Sequence, residues 1–304
     1  MEALNDISEP SIGCITGSQP GLNRSPFSTL KSRLIPVVLL LDGHIVQSKG
    51  FKRYQVLGNP TAIVQRLGDW TADELIYLDI TRSPGPAAAP RDPAPTSSPG
   101  ILEILSDVAK ACFMPLTFGG GVRTLRDIED RLKAGADKVT VNTHALAEPE
   151  LITRAAREFG SQAVVVSIDA LALSHGGWRV CADGGRSATE WSPASWAREA
   201  ERLGAGEILI NSIDRDGSGR GYDLELIRSV AGAVNIPVIA CGGVGSWDHL
   251  AEGILAGAAA VAAANIFHYT ENSVFRAKRH LFERGLPVRP PDFGERMTEG
   301  VKAP

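Results

Sequence analysis

Pro115-Leu116-Thr117-Phe118-Gly119-Gly120-Gly121-Val122 returns half a chain later as Pro237-Val238-Ile239-Ala240-Cys241-Gly242-Gly243-Val244. Ala134-Gly135-Ala136 returns at the same offset as Ala256-Gly257-Ala258. Asp73-Glu74-Leu75-Ile76 is echoed by Gly206-Glu207-Ile208-Leu209. Each copy joins a short apolar run, a glycine turn and a segment with apolar residues at helical spacing. A similarity that keeps its offset over such a span is a repeat, not a coincidence of glycine turns. The duplicated unit is strand, loop, helix, strand, so the chain reads as two fused halves of one parallel α/β array.

Working outward, eight apolar runs predict strands: Leu34–Leu41, Glu74–Asp79, Phe113–Phe118, Lys138–Val141, Ala163–Asp169, Glu207–Ile213, Pro237–Cys241 and Ala260–Ala263. Helical patterns lie between them, among them Thr124–Ala134 and Ser192–Leu203, the latter opening on a Ser-Pro cap and first turn. Eight such units closed on themselves make an α/β fold with a single (β/α)8 TIM barrel built from two half-barrel repeats. The predicted barrel covers 32–290. Residues 1–31, polar and without an apolar core, predict a loose N-terminal extension rather than a secretory signal. Ser83–Gly100, dominated by Pro and Ala, predicts a long mobile strand-to-helix loop, either a tolerated insertion or a lid. Residues 291–304 are left as a C-terminal tail.

Composition narrows the function classes. The net charge of −4 gives no reason to expect nucleic acid or an anionic membrane as partner. The longest apolar stretches are rich in Gly and Ala and too short to span a bilayer. Cys14, Cys112, Cys181 and Cys241 are scattered without a CxxC pair, which predicts free thiols in a reducing, cytoplasmic setting. The histidines lack HxH or HExxH spacing, so no metal site is predicted, and nothing calls for a cofactor.

In a (β/α)8 barrel, residues at the C-terminal strand ends are read as functional first. Gly119-Gly120-Gly121 leaves a strand and enters a helix, where backbone N–H groups can cradle an anion. Asn142 and Thr143 close the next strand and can add donors. Gly242-Gly243 with Ala264-Asn265 repeats the design, suiting a ligand with a phosphate at each end; tight packing is the other reading of such glycines. Asp214, Asp216 and Gly217 suit ligand hydroxyls, or a polar turn with Asp223 as helix cap. Asp169 is either a structural hydrogen-bond acceptor or a general acid/base. At the opposite strand ends stand Arg33, Glu74, Lys138 and Glu207, two cations and two anions that predict a stabilising ion network across the barrel floor.

The combination of Asp73-Glu74-Leu75, Gly119-Gly120-Gly121, Gly135-Ala136-Asp137-Lys138-Val139, Asn142-Thr143, Ser167-Ile168-Asp169, Ser212-Ile213-Asp214-Arg215-Asp216-Gly217 and Gly242-Gly243 resembles the cyclase subunit of imidazole glycerol phosphate synthase, over roughly Arg33 to Arg289. The resemblance implies a glutamine amidotransferase whose separate glutaminase subunit docks on the N-terminal face of the barrel. Ammonia then crosses the barrel to a bisphosphorylated nucleotide at the mouth. It implies phosphate contacts at Gly121, Asn142 and Thr143 on one side, and at Asp216, Gly217, Gly243, Ala264 and Asn265 on the other. It further implies an ammonia gate at Arg33, Glu74, Lys138 and Glu207, and a catalytic role for Asp169.

One position departs from that pattern. The family's first catalytic aspartate is Leu39 here, and Gln47 replaces a substrate-holding lysine. Leucine transfers no proton, and Asp42, on the following turn, would point elsewhere. The Leu39-Leu40-Leu41 ending is similar to paralogues that accompany surface-polysaccharide genes and supply ammonia for sugar amidation. Three functions therefore stand: a diverged ammonia-conducting barrel for sugar amidation; a genuine cyclase of histidine biosynthesis forming imidazole glycerol phosphate and AICAR; and a non-catalytic phosphate-binding scaffold.

Overall fold

In the computed structural model, residues 30–81, 100–269 and 271–291 are described. The first half runs β1 (Arg33–Leu41), β2 (His44–Lys49), β3 (Arg53–Gly58), α1 (Pro60–Asp69), β4 (Leu75–Asp79), α2 (Ile101–Ala111), β5 (Leu116–Gly119), α3 (Leu125–Lys133), β6 (Lys138–Val141), α4 (Thr143–Ala147) and α5 (Glu150–Phe159). The second half runs β7 (Val164–Ala172), β8 (Trp178–Ala182), β9 (Ser187–Ala188), α6 (Pro193–Leu203), β10 (Glu207–Ser212), α7 (Leu224–Ala231), β11 (Val238–Cys241), α8 (Trp247–Leu255), β12 (Ala260–Ala263) and α9 (Ser273–Glu283).

Strands β1, β4, β5, β6, β7, β10, β11 and β12 pair in parallel in that order, and β12 pairs back with β1. The sheet is thus a closed eight-stranded barrel wrapped by helices, the (β/α)8 fold that the repeat predicts. Alternation along each strand sorts the side chains. Ile35 and Val37 of β1 point inward, into a buried cluster with Ile76, Val165, Leu209, Ile239, Ala260 and Ala262. Leu34, Val38 and Leu40 face the helices instead. An apolar plug therefore fills the barrel between its floor and its mouth.

The helices begin where capping chemistry places them. Thr124 Oγ1 accepts from the Asp127 N–H (3.1 Å) while the Asp127 carboxylate accepts from the Thr124 N–H (2.8 Å), satisfying donors that open α3. Ser192 caps α6 ahead of Pro193, and Gly204 ends that helix with φ of 108°.

Several predicted boundaries move. The strand placed at Phe113–Phe118 begins only at Leu116, and Phe113 stands 97% exposed below the barrel. Ala163 belongs to a short 3-10 turn, so β7 starts at Val164. Glu74 precedes β4, Pro237 precedes β11 and Ile213 follows β10. Asp169 does not end its strand: β7 continues to Ala172 by pairing antiparallel with β8. The hairpins β2–β3 and β8–β9, each laid on the upper end of a barrel strand, were not among the predicted strands. The first turns at Asp42-Gly43 with φ of 50° and 77°, the positive pair that a two-residue hairpin turn requires. The N-terminal extension, nearly all of the Pro-rich segment and the C-terminal tail lie outside the described residues.

Candidate functional site

At the N-terminal ends of the strands, four charged side chains meet in a ring. Arg33 Nη1 donates to Glu74 Oε2 (2.6 Å) and Glu207 Oε1 (3.1 Å). Lys138 Nζ donates to Glu74 Oε1 (3.0 Å) and to Glu207 Oε1 (3.0 Å). The four come from β1, β6, β10 and the approach to β4, so the ring closes the floor directly beneath the apolar plug. Burial would pull the Arg33 pKa down, but the charges of Glu207 and Glu74 outweigh it and hold it above its ordinary value. Thr117 adds a contact that the sequence reading missed, its Oγ1 donating to Glu74 Oε1 (2.8 Å).

At the mouth, Asp169 is buried between two amides. Asn142 Nδ2 donates to its Oδ2 (2.8 Å), and Asn211 is its register partner on β10. Burial raises the Asp169 pKa to about 7; the Asn142 bond pulls it down and the nearby Asp216 charge pushes it up. A carboxyl poised there exchanges protons readily near neutrality, as a general acid/base must. Asn211 is a second residue missed from sequence, since an amide inside an apolar run carries no motif. The Oδ1 atoms of Asn142 and Asn211 are buried and without a hydrogen-bond partner among the described residues.

Leu39 stands on β1, four strands from β7 and so across the barrel from Asp169. Like Leu78, Cys241 and Ala264, it packs against the apolar plug. Cys241 is a neutral thiol, its pKa pushed up to about 12 by burial and then by the Asp216 charge. Asp42 is exposed on the hairpin turn. The Asp169 carboxyl therefore faces an apolar wall in place of a second acid.

The two glycine turns differ. At Gly120 (φ 103°) an added Cβ would meet the Asp79 carbonyl oxygen at 2.0 Å, so this glycine is required for packing. Gly121 (φ 65°) is exposed, and an added Cβ there would have Arg131 Nη2 as its nearest neighbour, at 3.8 Å. Thr143 follows Asn142 in sequence, but its Oγ1 accepts from the Asp183 N–H (2.9 Å) at the β8–β9 turn. In the second half, an added Cβ at Gly243 would strike the Gly221 carbonyl oxygen at 2.2 Å.

Around that second turn, the polar groups hold the β2–β3 hairpin. Asp216 Oδ2 accepts from Ser48 Oγ (2.8 Å) and the Phe51 N–H (3.3 Å). An added Cβ on Gly217 would lie 2.5 Å from the Ser48 carbonyl oxygen, to which Asn265 Nδ2, next to Ala264, also donates (2.9 Å). The Tyr269 hydroxyl donates to Gln47 Oε1. Asp214 accepts from the Ala172 N–H (2.8 Å), and Asp223 caps α7 while accepting from Trp178 Nε1 (2.7 Å). The structure thus brings Asp216, Gly217 and Asn265 together on one side of the mouth, with the hairpin seated on them.

A family model described as Histidine biosynthesis protein matches residues 33–273, from the first floor arginine to the opening of α9. The chain belongs to that family. No helix among the described residues is long and apolar enough to cross a membrane.

Proposed function

From membership of the histidine biosynthesis family, we propose that this chain is the barrel subunit of a glutamine-dependent amidotransferase similar to imidazole glycerol phosphate synthase. It receives ammonia from a glutaminase subunit at the floor and releases it at the mouth. The observation that carries this reading is the Arg33–Glu74–Lys138–Glu207 ring, closed by four ion pairs under an apolar interior. An apolar passage suits neutral ammonia, and a charged ring at its base can open by moving one side chain. Four exposed apolar residues fit the docking of a partner on that face: Leu30, Phe113, Leu255 and Phe282 all lie before a strand or at a helix C-terminus.

Leu39 directs the reading away from ring closure. Imidazole formation needs proton transfer on both sides of the added nitrogen, and Leu39 leaves Asp169 facing an apolar wall across the mouth. Loss of one acid/base partner costs about 10²–10⁴-fold in rate. The ammonia is then used by a separate enzyme, in the manner of the paralogues that support sugar amidation in surface polysaccharides. The phosphate contacts at Gly121, Asn142 and Thr143, and those at Asp216, Gly217, Gly243, Ala264 and Asn265, bind a phosphorylated ligand at the mouth.

Complementation of a histidine auxotroph tests this reading. Failure to restore growth is expected, and near-normal growth would establish a genuine cyclase instead. In a reconstituted pair with its glutaminase, Lys138→Ala or Glu74→Ala is expected to uncouple glutamine hydrolysis from ammonia use. Unchanged coupling would remove the gate.

A further inference from the structure

Arg131 lies on the buried face of α3 with 6% of its surface exposed. Its guanidinium bonds only to backbone carbonyls: Nη1 donates to Asp127 O (2.9 Å) and Nη2 to Gly120 O (2.8 Å). Its Nε has no partner among the described residues, and no carboxylate among them lies within ion-pair distance. The acids of its own helix are engaged elsewhere: Asp127 uses its carboxylate on Arg123 and Thr124 at the helix start, Glu129 pairs with Lys133 and Asp130 with Arg126. A buried guanidinium is costly to desolvate unless a negative charge offsets it. This one is held directly under the Gly119–Gly121 turn, where burial lowers its pKa and the charges of Asp127, Asp79 and Asp130, none of them paired with it, offset that only in part.

The bond to Gly120 O has a geometric consequence. The peptide joining Gly120 and Gly121 is trans, so its C=O and N–H point in opposite directions. Pinning the Gly120 oxygen down toward Arg131 aims the Gly121 N–H the other way, onto the exposed side of the turn. The second half has no equivalent. The position matching Arg131 at the repeat offset is Gly253, packed against the Tyr222 ring, and the glycine matching Gly121 is the crowded Gly243. The cation is therefore not demanded by the repeated fold.

We propose that Arg131 is the positioning residue of an anion site on the Gly119–Gly121 turn, orienting the Gly121 N–H toward a phosphoryl group and supplying the buried positive charge behind it. This rests on the reading that a phosphorylated ligand occupies the mouth, and it makes the first-half turn the stronger of the two anion sites.

Titration of the full chain with inorganic phosphate, followed by ¹H–¹⁵N spectra, tests it. The Gly121 amide and the Arg131 Nε–H should shift along one binding curve. Arg131→Gln should weaken that curve about tenfold, the scale of one charge-assisted contact; Arg131→Lys should recover part of the loss. Unaltered affinity in Arg131→Gln, or a Gly121 shift with Arg131 Nε unmoved, overturns the proposal and leaves the phosphate reading intact. No shift at Gly121 overturns both. If Arg131→Gln does not fold, the wild-type Nε resonance decides alone.

Discussion

Asp169 and Leu39 together set the chemistry available at the mouth. The Asp169 pKa is raised, so between about pH 4 and pH 7 the folded chain keeps a proton that the unfolded chain has released. Stability contributed by this group is then complete below pH 4, declines as the pH rises toward 7, and is flat above. Asp169→Asn is expected to remove that decline, because the amide cannot ionise, while still accepting from Asn142. Calorimetric Tm against pH checks it, and an identical slope in both proteins would contradict a raised carboxyl. Across the barrel, Leu39→Asp with Gln47→Lys is expected to produce measurable cyclase turnover with Asp169 in place. The assay is formation of the imidazole product from the bisphosphorylated nucleotide and ammonium salt; no gain at all would place the divergence beyond strand one.

The β2–β3 hairpin is seated on one side of the mouth. Ile45 and Val46 bury the β2 side of the hairpin, whereas β3 pairs with β2 and is almost wholly exposed, so little apolar burial holds the far end down. Its anchors are polar: Ser48 and Phe51 on Asp216, Gly50 N–H on the Asp216 carbonyl (3.1 Å), and Asn265 on Ser48. Removing a buried acceptor that serves two donors costs about 1–3 kcal/mol. Asp216→Ala is therefore expected to speed amide exchange at Phe51 by about tenfold or more while the barrel strands stay protected. Equal exchange in the two proteins would show that the hairpin is held by other contacts. Asp216 and Asn265 are also phosphate contacts in the proposed function, so a phosphate bound there would compete with this latch. Asp42-Gly43 is a hairpin-turn signal that the strand reading did not use; the hairpin's seat on Asp216 lies across the barrel and carries no local signal.

At the scale of the molecule, a second buried ion pair ties the last helix to the start of the barrel. Lys278 Nζ on α9 donates to Asp73 Oδ1 (2.8 Å) and the Thr71 carbonyl (2.6 Å), and Asp73 Oδ2 accepts from the Leu34 N–H (2.9 Å). The last helix is thereby tied to the first two barrel strands. Breaking a buried pair by removing one partner costs about 3–5 kcal/mol, so Lys278→Met should lower unfolding free energy by that amount in denaturant melts. A loss below about 1 kcal/mol would show that solvent already screens the pair. The repeat, the strand runs, the floor charges and Asp169 were all legible in the sequence, because offset, alternation and residue type are local properties that folding leaves in order. Asn211, Thr117, Arg131 and the hairpin latch were not. Arg131 is local in its partners, and only burial of α3 sets it apart; the others act through neighbours distant along the chain, since only closing the sheet puts Asn211 beside Asp169, Thr117 beside Glu74 and Ser48 on Asp216. The sequence by itself determined that this chain is a two-fold repeated barrel with charged floor residues and a leucine where an acid was expected. The tertiary structure alone decided that the floor charges form one ring, that the remaining acid is buried between amides, and that the two glycine turns have unlike surroundings. Burial, which fixes pKa and which groups are free to bind, is a property of the packed molecule.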